Sequence, residues 1–250
     1  MSAEIDRLGA TQAFIVGGTG VVGTGVETAL NGKPALSGNV HRISGLDRYE
    51  TARKVAEAMH DAAGPPLGNA IVVCGTNFAD GLAASPLSYA DRRPILLTPP
   101  TYAHPQMLGA LASIEATNVV IVGGTGAVGS TVQTTLGNRP GISEVRRCWG
   151  DTRFDTAAAV AEHCIDADIL TRDFVGYALG RDFPDGLAGG VAGKAGGALL
   201  LTESWVEPES TQFFNFDCAG ITTTARVFGG PGVVWGSILG MVNDDLFGGF

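Results

Sequence analysis

The chain has 250 residues, 45% hydrophobic and 16% charged, which is long enough to bury one large core or several small ones. Its formal net charge of −9 speaks against a general nucleic-acid-binding surface, because such a surface needs clustered lysine and arginine side chains. The sequence shows no basic, apolar leader and no run long enough to span a bilayer, so we expect neither a signal peptide nor membrane insertion.

The first distinctive stretch is IVGGTGVVGTGVETAL, residues 15–30. Its Gly18 to Gly23 segment fits the dinucleotide-binding fingerprint G-x-G-x-x-G, with a β-branched run before it and a helical pattern after it. Asp47 and Asp151 follow the next predicted strands, roughly where dinucleotide-binding enzymes place a ribose-binding carboxylate. The alternative interpretation, which we favour, is that these glycines form a tight strand-to-helix turn.

Strands and helices alternate along residues 41–136. The predicted order is strand HRISG, helix RYETARKVAEAMHDA, strand AIVVCG, helix ADGLAASPLSYA with a bend at Pro86, strand PILLT, helix PQMLGALASIE, strand NVVIVGG and helix AVGSTVQTTL. The unbroken apolar strands indicate burial on both faces, as in a parallel sheet. The pattern therefore predicts a three-layer α/β unit around a parallel sheet of about four strands.

Two predicted helices begin with acidic or hydroxyl side chains at capping distance. Asp47 precedes Glu50 by three residues, and Thr152 precedes Asp155 by three. This spacing is typical of a capping box, so we favour capping over ligand binding at Asp47 and Thr152.

Arg48 and Arg153 come directly after these cap positions. Each arginine either ties neighbouring strand-end loops together, pairs with the recurring Asp80 or Asp185, or contacts a ligand. We favour a structural tie, since a cation near a helix N-terminus needs compensation.

The chain contains internal repeats. Gly123 in VVIVGGTGAVGSTVQTTL lies 106 positions after Gly17, and Gly229 in RVFGGPGVVWGSIL lies another 106 positions on. Other segments recur in the same order, so that Asp80 matches Asp185. The chain holds about two and a half copies of a unit of roughly 105 residues. We predict a half repeat at residues 1–38 and full repeats at 39–140 and 141–250.

This repetition argues against a bound cofactor. A dinucleotide-binding enzyme normally carries one fingerprint, and the third copy has Trp235 in place of the last glycine, where it would block close packing. The sequence shows no nucleophile–base pair and no matched carboxylate pair. The four cysteines lack metal-ligand spacing and are predicted to be buried thiols. We therefore predict no catalytic residues, no metal and no cofactor.

The repeated segments resemble the cell wall binding repeat 2 family of Gram-positive surface proteins. The resemblance rests on RISGLDRYETA, on GTNFADGLAASPL followed by PILLT, and on VVIVGGTGAVGSTV, and it extends from Phe14 to about Leu239. It implies tandem Rossmann-like or toprim-like three-layer units with small parallel sheets, used in threes around a pseudo-threefold axis to hold anionic envelope polymers. The candidate polymer-binding residues are Arg48, Tyr49, Asp80, Thr98, Arg153, Asp185 and Thr202. The family also associates the segment from Ile95 to Thr98 with a polymer groove, although its apolar character alone predicts core.

We therefore expect a non-catalytic binding module for a cell-wall polymer or glycan, at a cell surface, in a surface layer or on a phage virion. A half repeat completed by another chain or by the last repeat favours a homo-oligomer. Two alternatives remain: a structural or decoration oligomer with a vestigial groove, and a nucleotide-binding enzyme that uses the glycine turns.

Overall fold

The computed structural model describes residues 2–64, 67–182, 184–230, 232–234 and 236–248. The strands are β1 (Ala13–Val16), β2 (Val40–Ile43), β3 (Asn69–Cys74), β4 (Ile95–Thr98), β5 (Asn118–Val122), β6 (Glu144–Cys148), β7 (Phe174–Leu179), β8 (Ala198–Thr202) and β9 (Thr224–Phe228). The α-helices are α1 (Ser2–Leu8), α2 (Thr24–Asn31), α3 (Arg48–Ala63), α4 (Ala79–Ala83), α5 (Ser85–Ala90), α6 (Pro105–Ser113), α7 (Ser130–Gly137), α8 (Arg153–Asp166), α9 (Glu209–Cys218) and α10 (Gly236–Phe247). Pro34–Leu36 and Gly186–Ala195 form 3-10 helices.

The described strands form three small sheets, and every pairing within them is parallel. β1 pairs with β2, the middle sheet has the order β4-β3-β5-β6, and the last sheet has the order β8-β7-β9. Helices alternate with the strands along the chain. The predicted fold class, α/β units with small parallel sheets, is confirmed.

The sheets do not coincide with the sequence repeats. We predicted that β2, β3, β4 and β5 share one sheet. Instead β2 pairs with β1, and β6, from the next repeat, pairs with β5 and completes the middle sheet. The short helix α7 returns the chain beside β5, and successive parallel strands commonly become neighbours in this way. We call residues 2–43 the N-terminal unit, residues 48–148 the first module and residues 153–247 the second module.

The middle sheet is buried on both faces, as its apolar strands predict. Val72 belongs to one cluster, which contains side chains of α3, α6 and α7. Val73, on the opposite face, belongs to a second cluster, which contains side chains of α5 and α8. The first module is thus a three-layer unit.

Helix α8 joins the two modules. Its Val160 and Cys164 belong to the same core cluster as Cys148 of β6 and Tyr177 of β7. The clusters therefore continue from one module into the next, and α8 packs between the middle and the last sheet.

A second contact between the modules is made of small residues. The predicted helix around Pro86 is divided at Ala84 into α4 and α5, with Pro86 in the first turn of α5. The corresponding segment of the second module is the 3-10 helix Gly186–Ala195, which packs against α5. A Cβ atom at Gly193 would lie 2.4 Å from the Pro86 carbonyl oxygen, so only glycine permits this approach.

Candidate functional site

The helix starts have the predicted caps. The Asp47 carboxylate accepts a hydrogen bond from the Glu50 amide at 2.8 Å, and the Glu50 carboxylate accepts one from the Leu46 amide at 2.6 Å. Thr152 and Asp155 form a complete capping box at the start of α8. Helix capping is therefore confirmed for Asp47 and Thr152.

Arg48 and Arg153 tie strand ends to helix starts. Arg48 Nη1 donates to the Gly75 carbonyl at 2.5 Å, directly after β3. Arg153 Nη1 donates to the Gly180 carbonyl at 2.6 Å, directly after β7. The structural interpretation of both arginines is thus confirmed, and each cation finds its compensation in a carbonyl oxygen.

Asp80 and Asp185 lie against glycine turns. Asp80 is 7% exposed, and an ideal Cβ at Gly123 would be 2.5 Å from its Oδ2 atom. The corresponding distance from Gly229 to Asp185 Oδ2 is 2.8 Å. Burial raises the pKa of Asp80, and the positive charge of Arg153 partly opposes that shift. The charge of Arg153 in the second module therefore acts on Asp80 of the first, although the hydrogen bond of Arg153 goes to Gly180.

These contacts give the turn glycines a structural role. Gly17, Gly123 and Gly229 have φ values of +120°, +113° and +120°, which favour glycine. In the two modules an aspartate approaches this glycine, whereas a phosphate-binding turn presents its amides to an anion without a neighbouring carboxylate. The predicted difference at Trp235 lies outside the described residues, as does Pro231.

Thr98 and Thr202 are fully buried. Thr98 Oγ1 donates to the Tyr102 carbonyl at 2.8 Å and accepts from the His104 amide at 3.1 Å, so it shapes the loop after β4. Thr202 Oγ1 donates to the Glu203 carbonyl at 3.2 Å. Burial leaves neither hydroxyl accessible to a polymer and corrects our expectation of direct contact for both.

Tyr49 belongs to an aromatic cluster that sequence reasoning missed in part. Its ring stacks on His104 with centroids 4.2 Å apart, and Tyr102 lies 6.0 Å from the same imidazole and is 50% exposed. Burial raises the pKa of Tyr49. The aromatic residues of the segment TYAHP, directly after PILLTPP, were the available signal for Tyr102 and His104.

The first module has an open groove of about 660 Å³ beside the N-terminal unit. Half-buried Ile95 and Leu97 of β4 form its apolar wall. The other lining residues are Val16, Gly17, Gly18, Val21, Gly45, Leu46, Asp47, Arg48, Thr51, Ala52 and Val55. We refer to this feature as the β4 groove.

In the second module the corresponding side chains are covered. Leu199 and Leu201, the counterparts of Ile95 and Leu97, are at most 1% exposed and pack against Ala79 and Ala83 of α4. The β4 groove of the first module is therefore equivalent in position to the surface of the second module that α4 covers.

The predicted site residues do not converge on one site. Arg48 lines the β4 groove, and Tyr49 lies in the aromatic cluster. Asp80 lies against Gly123, and Arg153 is bonded to the Gly180 carbonyl. The family resemblance thus pointed to one residue of this groove, Arg48, and to the aliphatic segment that contains Ile95 and Leu97.

The cysteine prediction is confirmed, because all four thiols are buried and free. In the described ranges, no group of three or more histidine, cysteine, aspartate or glutamate side chains is arranged to hold a metal ion. The same part of the chain contains no helix with the length and apolarity to cross a membrane.

Comparison with known proteins identifies the class of protein that this fold and these repeats define. Residues 42–133 and 147–239 each match the Cell wall binding domain 2 (CWB2) family. The chain belongs to the CWB2 family and carries two such domains.

Two curated relatives come from Bacillus subtilis (strain 168). The N-acetylmuramoyl-L-alanine amidase LytC is 36% identical over 129 residues, which cover 51% of this chain and 25% of the amidase. The amidase enhancer is 28% identical over 221 residues, which cover 86% of this chain and 28% of the enhancer. The chain thus spans about a quarter of the length of each relative.

Solved structures with the same fold come from Clostridium difficile. Cwp8 has a TM-score of 0.76 at 23% identity, covering 96% of this chain and 39% of Cwp8. Cwp6 has a TM-score of 0.69 at 20% identity, covering 81% of this chain and 31% of Cwp6.

Proposed function

We propose that this chain is a non-catalytic module that attaches to anionic polymers of a Gram-positive cell envelope, and that the β4 groove contacts the polymer. The open groove in the first module carries this proposal, because the matching surface of the second module is covered by α4. Aliphatic side chains next to an arginine suit a polymer that alternates apolar ring faces with charged groups.

Capture by this groove is local rather than long-range. The net charge of −9 repels a polyanion at a distance, so Arg48 acts only after close approach. Tyr102, half exposed beside His104, adds an aromatic face to the carboxyl end of the same sheet. We therefore expect retention to increase with moderate salt, which screens the overall repulsion, and to fall again at high salt.

The test is sedimentation of the purified chain with Gram-positive cell walls, with and without their teichoic acids. Leu46 lines the groove and is 99% exposed, so Leu46→Glu adds a repelling charge without disturbing the core. Leu239→Glu, at a position 52% exposed on α10, is the matched control. We expect Leu46→Glu to lower retention at least about tenfold and Leu239→Glu to leave it unchanged. Equal retention of both variants contradicts a role for the groove, and heat from added nucleotides without wall retention would favour a nucleotide-binding enzyme.

As the alternative for the same surface, we infer a homo-oligomer in which a second copy of the chain, and not polymer, occupies the β4 groove. α4 covers β8 inside the chain, and the 3-10 helix Gly186–Ala195, its counterpart in the second module, exposes Leu187 and Val191. Docking of that 3-10 helix from a second copy onto the β4 groove would repeat the internal interface. Light scattering after gel filtration should give a mass above one chain for the parent and one chain for Leu187→Glu. A monomeric parent removes this part of the proposal and leaves the groove open to polymer.

The place of display also belongs to the proposal: a cell wall, a surface layer or a phage virion. Mass spectrometry of wall extracts, of surface-layer extracts and of purified virions distinguishes these locations.

A further inference from the structure

A small polar cavity lies at the amino-terminal edge of the middle sheet. Its lining includes Asn69, Asn118 and Glu144, the first residues of β3, β5 and β6. Its volume is about 160 Å³. Its lining residues differ from those of the β4 groove and of the aromatic cluster, so this cavity is a separate feature.

His163 of α8 lines this cavity with an unsatisfied ring. The residue is 9% exposed, and both of its ring nitrogens are buried without a hydrogen-bond partner among the described residues. Buried polar atoms in folded proteins almost always have partners, so two unpaired nitrogens on one ring indicate a ligand or solvent on that side.

Two arginines line the same cavity. The Arg93 side chain is 12% exposed, and its Nε atom donates to Asp91 Oδ2 at 2.5 Å, which leaves its two terminal nitrogens for another acceptor. Arg146 has no carboxylate within 4.0 Å in the described part of the chain. The Glu144 carboxylate also lines the cavity, which therefore presents two guanidinium groups and one carboxylate.

We propose that this cavity binds an oxyanion of the phosphate class, held by the guanidinium groups of Arg93 and Arg146 and by the His163 ring. Guanidinium groups match the geometry of phosphate oxygens and form strong charge-assisted hydrogen bonds with them. The cavity volume of about 160 Å³ accommodates one phosphate group.

Binding of this anion is linked to protonation of His163. Burial, Arg146 and Arg93 lower the pKa of His163, while Asp166 and Glu144 act in the opposite direction; Asp91 is paired with Arg93. A bound anion offsets the two arginines and stabilises the imidazolium ion, so phosphate should raise this pKa.

The test follows the His163 ring by NMR in the full chain during titration with inorganic phosphate, against sodium chloride at equal ionic strength. His163→Gln assigns the signal. Arg146→Gln removes an exposed cation of the site, and Arg226→Gln, an exposed arginine on β9, is the matched control. We expect Arg146→Gln to weaken phosphate binding about tenfold and Arg226→Gln to change it less than about twofold.

Three outcomes are informative. A phosphate-dependent shift of His163 that is lost in Arg146→Gln supports the proposal with free phosphate as ligand. A shift seen only with a short glycerol-phosphate oligomer supports it with a polymer phosphate as ligand. No shift beyond the chloride control with either probe, or equal losses in both arginine variants, overturns it. Wall retention is measured separately, so failure here leaves the proposed function untouched.

Discussion

Gly123 shows how one residue can satisfy two constraints at once. Its φ of +113° disfavours any residue with a side chain. An ideal Cβ atom at this position would lie 2.5 Å from Asp80 Oδ2. Gly126, three residues later in the same turn, has no heavy atom within 4 Å of such a position. The turn therefore needs its glycines to different degrees.

Gly123→Ala should destabilise the chain by about 2 kcal/mol or more, because backbone strain adds to the clash with Asp80. Gly126→Ala should stay within about 0.5 kcal/mol of the parent. Urea unfolding monitored by circular dichroism measures both changes. A similar loss in the two variants would mean that neither the positive φ nor the Asp80 contact of Gly123 sets the requirement.

A buried acidic network lies in the second module. The Tyr177 hydroxyl donates to Asn215 Oδ1 at 2.6 Å, and Asn215 Nδ2 donates to Glu207 Oε1 at 2.5 Å. Glu207 is 2% exposed, and burial together with the nearby Asp245 raises its pKa to about 8. The folded chain therefore holds this carboxyl in its protonated form at neutral pH.

Replacing Glu207 should change how stability depends on pH. A carboxyl with a folded-state pKa of about 8 and an unfolded value of about 4.3 binds its proton more tightly when folded, so stability falls as the pH rises between these values. Glu207→Gln should be close to the parent at about pH 4.5 and more stable by the order of a few kcal/mol at about pH 8.5. Exposed Glu209→Gln is the control, and parallel pH curves for parent and Glu207→Gln would contradict the assignment.

At this scale the sequence predicted the positions that act through local geometry. Asp47 and Thr152 are caps because a side chain three residues before a free amide can reach it. Burial of Thr98 depends on the loop that folds back over it, and stacking of Tyr49 on His104 joins segments far apart in sequence. Contacts between segments so far apart in the sequence cannot be predicted from residue spacing.

At the scale of the elements, the contact between α5 and the 3-10 helix Gly186–Ala195 depends on glycine residues, which have no side chain. Ideal Cβ atoms at Gly190 and Gly193 would lie 3.2 Å from Ser85 Cβ and 2.4 Å from the Pro86 carbonyl oxygen. A glycine-rich segment is a poor α-helix, and here it forms a 3-10 helix that approaches its neighbour closely.

Gly193→Ala should therefore separate the modules and lower the free energy of unfolding by about 2 kcal/mol or more, because its closest contact is backbone that cannot rotate away. Gly240→Ala on α10 has nothing within 4 Å and should be neutral or stabilising by up to about 1 kcal/mol. Thermal unfolding of the two variants compares them. Equal melting temperatures would show that the modules tolerate a wider spacing.

The elements themselves were predictable, but their partners were not. Apolar runs and caps identified the strands and helices of the first module, because these signals lie within one segment. The sequence does not show whether β6 pairs with the middle sheet or with the last one. In the structure α7 brings β6 to the free edge of β5, so β6 pairs with the middle sheet. Ile95 and Leu97 likewise have the apolar sequence of a buried strand. The difference is that α4 covers the matching side chains of β8, whereas Ile95 and Leu97 line an open groove.

On the scale of the whole molecule, α8 packs between the two modules, so we expect them to unfold as one cooperative unit. Val160 and Cys164 share a cluster with Cys148 of the middle sheet and Tyr177 of the last sheet. Neither module keeps a complete core when α8 leaves, and the contact between α5 and the 3-10 helix adds to the same interface. Such shared burial favours unfolding in one step over independent melting of two domains.

Tryptophan fluorescence can test this cooperativity. Trp149 lies 3.7 Å from an ideal Cβ at Gly124 and reports on the first module, while Trp205 follows β8 and reports on the second. One variant keeps Trp149 and has Trp205 and Trp235 changed to Phe. The other keeps Trp205 and has Trp149 and Trp235 changed to Phe. We expect the two variants to unfold at the same urea concentration. Val160→Ala should lower the free energy of unfolding by about 1–3 kcal/mol, because it leaves a cavity in the shared cluster. Both probes should therefore report the same decrease in the urea midpoint. Separate midpoints for the two probes, or a shift of only one, would show that the modules unfold independently and that α8 belongs energetically to one of them.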